Sequence, residues 1–294
     1  MRAWIIVDGV ATSLSDGSLC RLEGWDGLGL ADIHRLASRG PLQQGDTDEG
    51  YRRDPRFPTL TLGVVGSTPA EMAARRATLM GLLKPGSSAA ILEFEREDGV
   101  TRRIDVQYSG GANAPSANKR PVYHRVGAVF KAPDPTFYDE TGEAVTFAVS
   151  GGGDGLQIPM EVPFGVGSDV IDQSTPVTYT GTAETYPFIR VVGPVDDVVI
   201  TNQTSGAKLD FTGVSIDPGD YRDIDLGWGR KTVVDSLGAN KVSELTDDSD
   251  LTSFCLLPAP DAPSGINALH VGGSNATGAT AITLQYFNRY ASLL

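Results

Sequence analysis

Residues 186–234 read YPFIRVVGPVDDVVITNQTSGAKLDFTGVSIDPGDYRDIDLGWGRKTVV. Short apolar runs alternate here with turn residues. Ile189 to Val192 and Val198 to Thr201 flank Gly193-Pro194, and Lys208 to Thr212 follows Thr204-Ser205-Gly206. Tyr221 to Leu226 follows Asp217-Pro218-Gly219-Asp220, and Lys231 to Asp235 returns after Gly227-Trp228-Gly229. Strands of about five residues, with turn signals roughly every 8–12 residues, are the pattern of a β-sandwich. Ser253 to Leu257, Ala268 to Val271 and Ile282 to Phe287 extend it toward the end of the chain.

Working outward, the 294 residues suffice for two domains, each with its own core. Pro133-Asp134-Pro135 and the polar run Asp139 to Glu143 mark a boundary, giving domains over 1–138 and 144–294. Charge changes there too. The first 138 residues carry 17 Lys and Arg against 16 Asp and Glu, whereas residues 139–294 carry 7 against 21. An acidic second domain repels a phosphate backbone, which argues against nucleic-acid binding. Cys20 and Cys255 fall one in each half, so no disulfide framework is expected and buried thiols are. The N-terminal MRAWIIVDGV lacks the features of a signal peptide, and no apolar run is long enough to span a membrane. The expectation is synthesis in a cytoplasm, in which the sequons at Asn202 and Asn275 carry no weight.

The first half also reads mainly as strands: Ala3 to Val7 with a two-residue Asp8-Gly9 turn, Leu19 to Trp25, Ile33 to Leu36 and Thr59 to Val65. One helix is expected. Thr68 can cap it, Pro69 takes the first helical position, Glu71 completes a capping box, and Lys84-Pro85-Gly86 ends it. Met72, Leu79, Met80 and Leu83 form its core stripe. A hairpin runs Ile91 to Arg96 and Val100 to Tyr108, residues 109–120 read as a loop, and Val122 to Phe130 alternates as a long strand. In the second half, Ala144 to Val149, a glycine-rich connection over 151–155 and Met160 to Phe164 precede the sandwich series.

Ser38 to Phe57, SRGPLQQGDTDEGYRRDPRF, reads as a long polar loop, of the kind that is usually functional. It is either a solvated surface segment or an arm reaching a neighbouring subunit. Arg39, Arg52, Arg53 and Arg56 interleave with Asp46, Asp48, Glu49 and Asp54, while Tyr51 and Phe57 supply apolar anchors. Candidate interface residues are Arg39, Asp46, Tyr51, Arg53, Asp54 and Phe57. Trp228, between two glycines at a hairpin tip, is a candidate ligand platform or else a packed turn residue.

Catalytic and metal motifs fail on inspection. Gly213 to Asp217 lacks the second glycine of a nucleophile elbow, and Gly229-Arg230-Lys231-Thr232 lacks the helix a phosphate loop requires. His34, His124 and His270 are too far apart for a helical metal pair, and His124 on an apolar face suits a hydrogen-bonded core position. Asp247-Asp248-Ser249-Asp250 lacks the glycine and distal glutamate of a calcium loop, and a solvated charge run is the simpler reading. Among 37 acidic residues no glycosidase pair can be singled out. No catalytic, cofactor or metal residue is assigned, and no enzyme activity is expected.

The pieces RGPLQQGDTDEGYRRDPRFPTLTLGVVG, LLKPG, the turn around EDG, KAPDPTFYD, YPFIRVVGPVDDVVITNQTSGAKLDFTG, DIDLGWGRKTV and LQYFNRYASLL occur in this order over most of the chain. In that order the chain resembles the distal tail proteins of siphophages. The resemblance implies a mainly β protein: an N-terminal sandwich-like domain with one helix that builds a hexameric ring, and a galectin-like or jelly-roll sandwich carried outside it. It implies a structural virion protein at the phage tail tip, assembled in the host cytoplasm. Such a hub joins the tail tube protein to tail-tip or baseplate proteins, with receptor-binding components as further partners. The strongly acidic C-terminal domain departs from the balanced first one and leaves open what docks there. The alternative is a carbohydrate-binding sandwich module.

Overall fold

The computed structural model describes residues 1–84, 90–113, 115–148 and 170–293. The glycine-rich connection, Met160 to Phe164 and the Pro85-Gly86 helix stop lie outside the described residues. Two compact units are present, Met1–Glu140 with Tyr290–Leu294, and Thr141–Arg289. The last residues thus join the first unit, whereas the sequence reading keeps them with the second.

In the first unit, β1 (Arg2–Val7), β2 (Val10–Ser13), β3 (Arg21–Asp26), β4 (Ile33–Ser38), β5 (Thr47–Arg53) and β6 (Thr59–Val65) precede helix α1 (Pro69–Leu82). After it come β7 (Ala90–Glu95), β8 (Thr101–Asn113), β9 (Lys119–Arg120), β10 (Tyr123–Lys131) and β11 (Phe137–Asp139). Asp8 and Gly9 both take positive φ, as a two-residue hairpin turn requires. The main sheet runs β2-β1-β7-β8-β10-β6-β3. β8 is its pivot. Its first half pairs with β7 from Thr101 to Val106, and its second half pairs with β10 from Gln107 to Asn113. Register shifts in that second ladder, with Gly110 at φ 132°, bend the strand so that both halves face one core. The expected end of this strand at Tyr108 is therefore too early. Ser109 to Asn113 has little β preference of its own, and pairing with β10 supplies what propensity does not.

That core holds Ala3, Ile5, Leu60, Leu62, Val64, Leu92, Phe94, Ile104, Val106, Val126, Ala128 and Phe130, all buried and all at alternate strand positions. Met72, Leu79 and Leu83 of the helical stripe join them. Thr68 Oγ1 accepts the Glu71 N–H (3.1 Å). Glu71 returns a carboxylate oxygen to the Ser67 N–H (2.7 Å), so the capping box closes one residue early. His124 is buried as expected, its ring nitrogens 3.4 Å from Arg76 Nη1 and from the Pro115 carbonyl.

The second unit contains β12 (Glu143–Ala148), β13 (Val170–Thr178), β14 (Phe188–Val192), β15 (Val195–Asn202), β16 (Lys208–Asp210) and β17 (Ser215–Ile216). It continues through β18 (Tyr221–Asp225), β19 (Thr232–Asp235), β20 (Ile266–Ser274) and β21 (Ala281–Tyr286). One sheet runs β12-β21-β14-β18-β19 and the other β13-β20-β15-β16, with β17 against β15. Ile189, Val191, Ile224, Val233, Ile282 and Leu284 from the first sheet share a core with Ile171, Val195, Val198, Ile200, Leu209, Leu269 and Val271 from the second. Two antiparallel sheets over one core are a β-sandwich, as the 186–234 alternation predicts. Ser253 to Leu257 forms no strand. Leu256 bridges Thr185, and buried Asn202 and Asn267 bind the carbonyls of Cys255 (2.8 Å) and Leu257 (3.0 Å). Their burial satisfies backbone groups that no ladder reaches.

The short strand β22 (Arg289–Tyr290) pairs with β11 and returns the chain to the first unit, where Leu293 is fully buried.

Candidate functional site

The polar arm is a hairpin rather than a loop. β4 and β5 form a two-stranded sheet that pairs with no other strand among the described residues, from Ile33 opposite Arg53 to Ser38 opposite Thr47. A register shift follows Leu36, where the partner Gly50 takes φ 105°. Sequence could not reveal β5, because Asp48-Glu49-Gly50 disfavours a strand and the stretch has no apolar alternation. Every residue of β4 is exposed, as are Thr47, Asp48, Glu49, Tyr51 and Arg52 of β5. A lone two-stranded hairpin is marginal in water, so its order depends on contacts beyond its own ladder.

The arm's charges are largely satisfied within the arm: Arg39 with Asp46 at 2.6 Å, Arg35 with Asp48 at 3.3 Å and Arg52 with Asp54 at 3.6 Å. Ser38 donates to Glu49 (2.6 Å). Such exposed pairs each contribute little, but they fix the arm's shape and leave its apolar groups as the unsatisfied surface. Ile33, Arg35, Tyr51 and Arg53 share one face of the ladder. The guanidiniums of Arg35 and Arg53 each lie 5.9 Å from the Tyr51 ring centroid. Leu36 lies on the other face, Leu42 at the tip is 98% exposed, and Tyr51 and Phe57 are each about half exposed.

Arg56 does not belong to this surface. It is buried, with its backbone paired to Ala132 and its guanidinium donating to the carbonyls of Pro135 (3.0 Å), Gly27 (3.1 Å), Ala291 (2.7 Å) and Gly29. The cation also lies 4.7 Å from the centre of the Phe137 ring. Burial pushes its pKa down to about 10, which leaves it charged at neutral pH. Arg102 performs a similar task, stacked 3.4 Å above Tyr290 and donating to the Ser292 carbonyl (3.1 Å). Two arginines thus hold the end of the chain in the first unit. Nothing local distinguishes Arg56 from its charged neighbours in sequence, because its partners lie 27 to 235 residues away.

Trp228 occupies the turn between β18 and β19, closed by the Arg230 N–H to the Gly227 carbonyl (3.1 Å), and is 68% exposed. Tyr186 meets it edge to face at 5.1 Å. The Lys231 ammonium sits 4.2 Å from the Tyr186 ring centre and 5.0 Å from that of Trp228.

The acidic run 247–250 lies on the surface, with Asp247 and Asp248 exposed, and it touches Lys208 at two points. Lys208 Nζ lies 3.2 Å from Asp210 and 3.5 Å from Asp248, and its own N–H reaches Asp250 at 3.2 Å. Among the described residues no cluster of three or more His, Cys, Asp or Glu is arranged to hold a metal ion. Strand register brings Ser174 Oγ to 3.1 Å from His270 Nδ1, a pairing not visible in sequence. Its carboxylate partner Asp172 is 3.6 Å away and 78% exposed, which makes a solvent-screened contact rather than the buried carboxylate that orients an imidazole in a hydrolytic triad. Burial pushes the thiol of Cys20 up to about 12 and that of Cys255 up to about 11, so neither is a nucleophile at neutral pH.

No protein-family model matches the chain, and no curated protein matches it. Solved structures do. The chain is similar to the SPP1 Dit (gp 19.1) protein, described as a paradigm of the hub adsorption apparatus in phages infecting Gram-positive hosts, with a TM-score of 0.64 and 16% identity over 98% of each chain. It is also similar to chains of the phage P2 baseplate in its activated conformation, with calcium (TM-score 0.48, 11% identity, 97% of each chain) and with strontium (0.46, 12%, 97% of each chain). Over nearly its whole length, this chain has the fold of a phage hub protein.

Proposed function

We propose that this chain is a structural protein of a siphophage tail: a hexameric hub between the tail tube and the tail-tip or baseplate proteins. The whole-length fold match to the SPP1 hub carries this reading. The unpartnered β4–β5 hairpin supports it, because a ring gives each copy a neighbour on which to lay that arm. Tyr51, Phe57 and Leu36 are then the contact groups, flanked by Arg53, with the Arg39–Asp46 and Asp54 pairs setting the arm's geometry. The first 138 residues carry nearly balanced charge, so copies of this region meet without net repulsion, whereas the acidic second unit opposes association and faces outward. Residues 1–138 with the tail end from Tyr290 form the ring domain, and residues 144–289 the outer sandwich. The hub works by assembly and carries out no reaction. Native mass spectrometry of the full chain tests this. The expected species has about six times the 31.0 kDa chain mass, and a persistent monomer at high concentration contradicts it.

A further inference from the structure

We propose that the β18–β19 hairpin tip is a binding platform for an uncharged saccharide ring, with the Trp228 indole as its stacking surface.

The indole is both exposed and held. Gly229 takes φ 78°, which sets the tight turn that lifts Trp228 to the hairpin tip. Asp225 fixes the turn by accepting the Gly227 N–H (2.9 Å) and the Arg230 guanidinium (3.1 Å). Tyr186 braces the ring edge to face, and Lys231, anchored to the Thr252 carbonyl (3.1 Å), places its ammonium against both rings. An aromatic that merely filled a turn would pack down. This one keeps 68% of its surface in water while its position is fixed, which is how a recognition group is preorganised.

The surroundings choose the ligand. The apolar surface at the tip amounts to one indole and part of a tyrosine, far below the roughly 1,000 Å² that a stable protein interface needs. A single sugar ring matches it, with its C–H face on the indole and its hydroxyls beside the Arg230–Asp225 pair, which offers both donors and an acceptor. Charge is disfavoured in either sign. A cation meets the Lys231 ammonium already at the rings, and an anion finds Arg230 paired with Asp225 and Lys231 held on the Thr252 carbonyl.

Frontal affinity chromatography over the immobilised full chain tests the proposal, with maltotriose, cellotriose, galactotriose and N,N′,N″-triacetylchitotriose as neutral probes and sialyllactose as an anionic one. At least one neutral trisaccharide should be retarded, with a Kd of about 1–10 mM, the range open to a ligand held by one ring. Trp228→Ala should weaken that binding at least tenfold, and Trp25→Ala should leave it unchanged. Retardation of none of the neutral probes overturns the proposal, as does retention that survives Trp228→Ala or stronger retention of sialyllactose. If Trp228→Ala instead changes the oligomeric mass, the indole is a protein contact and the proposal fails.

Discussion

Replacing Arg56 by methionine should destabilise the first unit far more than removing any charge from the arm. The guanidinium satisfies carbonyls of Gly27, Gly29, Pro135 and Ala291, drawn from three separate stretches of chain. Methionine keeps much of the volume but donates nothing. Each buried carbonyl left without a partner costs about 1–3 kcal/mol, offset by the relief of a buried cation and by water entering where it can. The turn cannot relax freely either, because Gly27 has φ 74° and lies so close to Phe57 that a Cβ there would meet its carbonyl at 2.7 Å. A net loss of about 3–5 kcal/mol follows. Urea unfolding followed by tryptophan fluorescence in a Trp228→Phe background reports the first unit alone, through Trp4 and Trp25. With an m-value of about 2 kcal/mol per molar, the midpoint should fall by about 1.5–2.5 M. A fall below about 0.25 M, within the range of an ordinary surface change, would refute the role assigned to this residue.

Other expectations follow from the same contacts. Leu293→Ala should cost the first unit about 2–5 kcal/mol in the same assay, because that side chain is fully buried in its core. Leu36→Ala with Tyr51→Ala should weaken the ring by about 1–3 kcal/mol per interface while leaving subunit unfolding unchanged, as read by dilution and by circular dichroism. The second unit should lose stability in acid. Hydrogen bonds from Ser236 and Arg222 hold the Asp220 carboxyl well below its usual 3.8, and Arg222 and Lys241 outweigh the effect of burial to lower that of Glu244. Both carboxylates therefore stabilise the fold above the unfolded-state range near pH 4, and that contribution is lost as pH falls below it; Arg222→Met should flatten this dependence in acid titrations. Native Cys20 and Cys255 should resist iodoacetamide at pH 8 and react once denatured, as mass spectrometry would show.

Local chemistry made much of the fold legible. Short apolar runs cut by turn residues over 186–234 announce the sandwich, and Thr68-Pro69 with Glu71 announces the helix start. The features that escaped depend on distant partners. β5 is a strand because β4 lies beside it, not because of its own residues. Arg56 reads as one more charge in a polar run until Gly27, Pro135 and Ala291 surround it. The Asp247 to Asp250 run is the solvated acidic surface that its residues suggest, and only its contacts with Lys208 needed the structure. Tyr51, Arg53 and Trp228 could be named from residue type, but the exposure of Tyr51 and Trp228 and the pairing of Arg39 with Asp46 required the structure.

Single-particle images of the purified full chain test the central claim most directly. The account predicts closed six-fold rings in which the β4–β5 hairpin of each copy lies against its neighbour. Isolated monomers, open filaments, or rings whose hairpins project into solvent would contradict it.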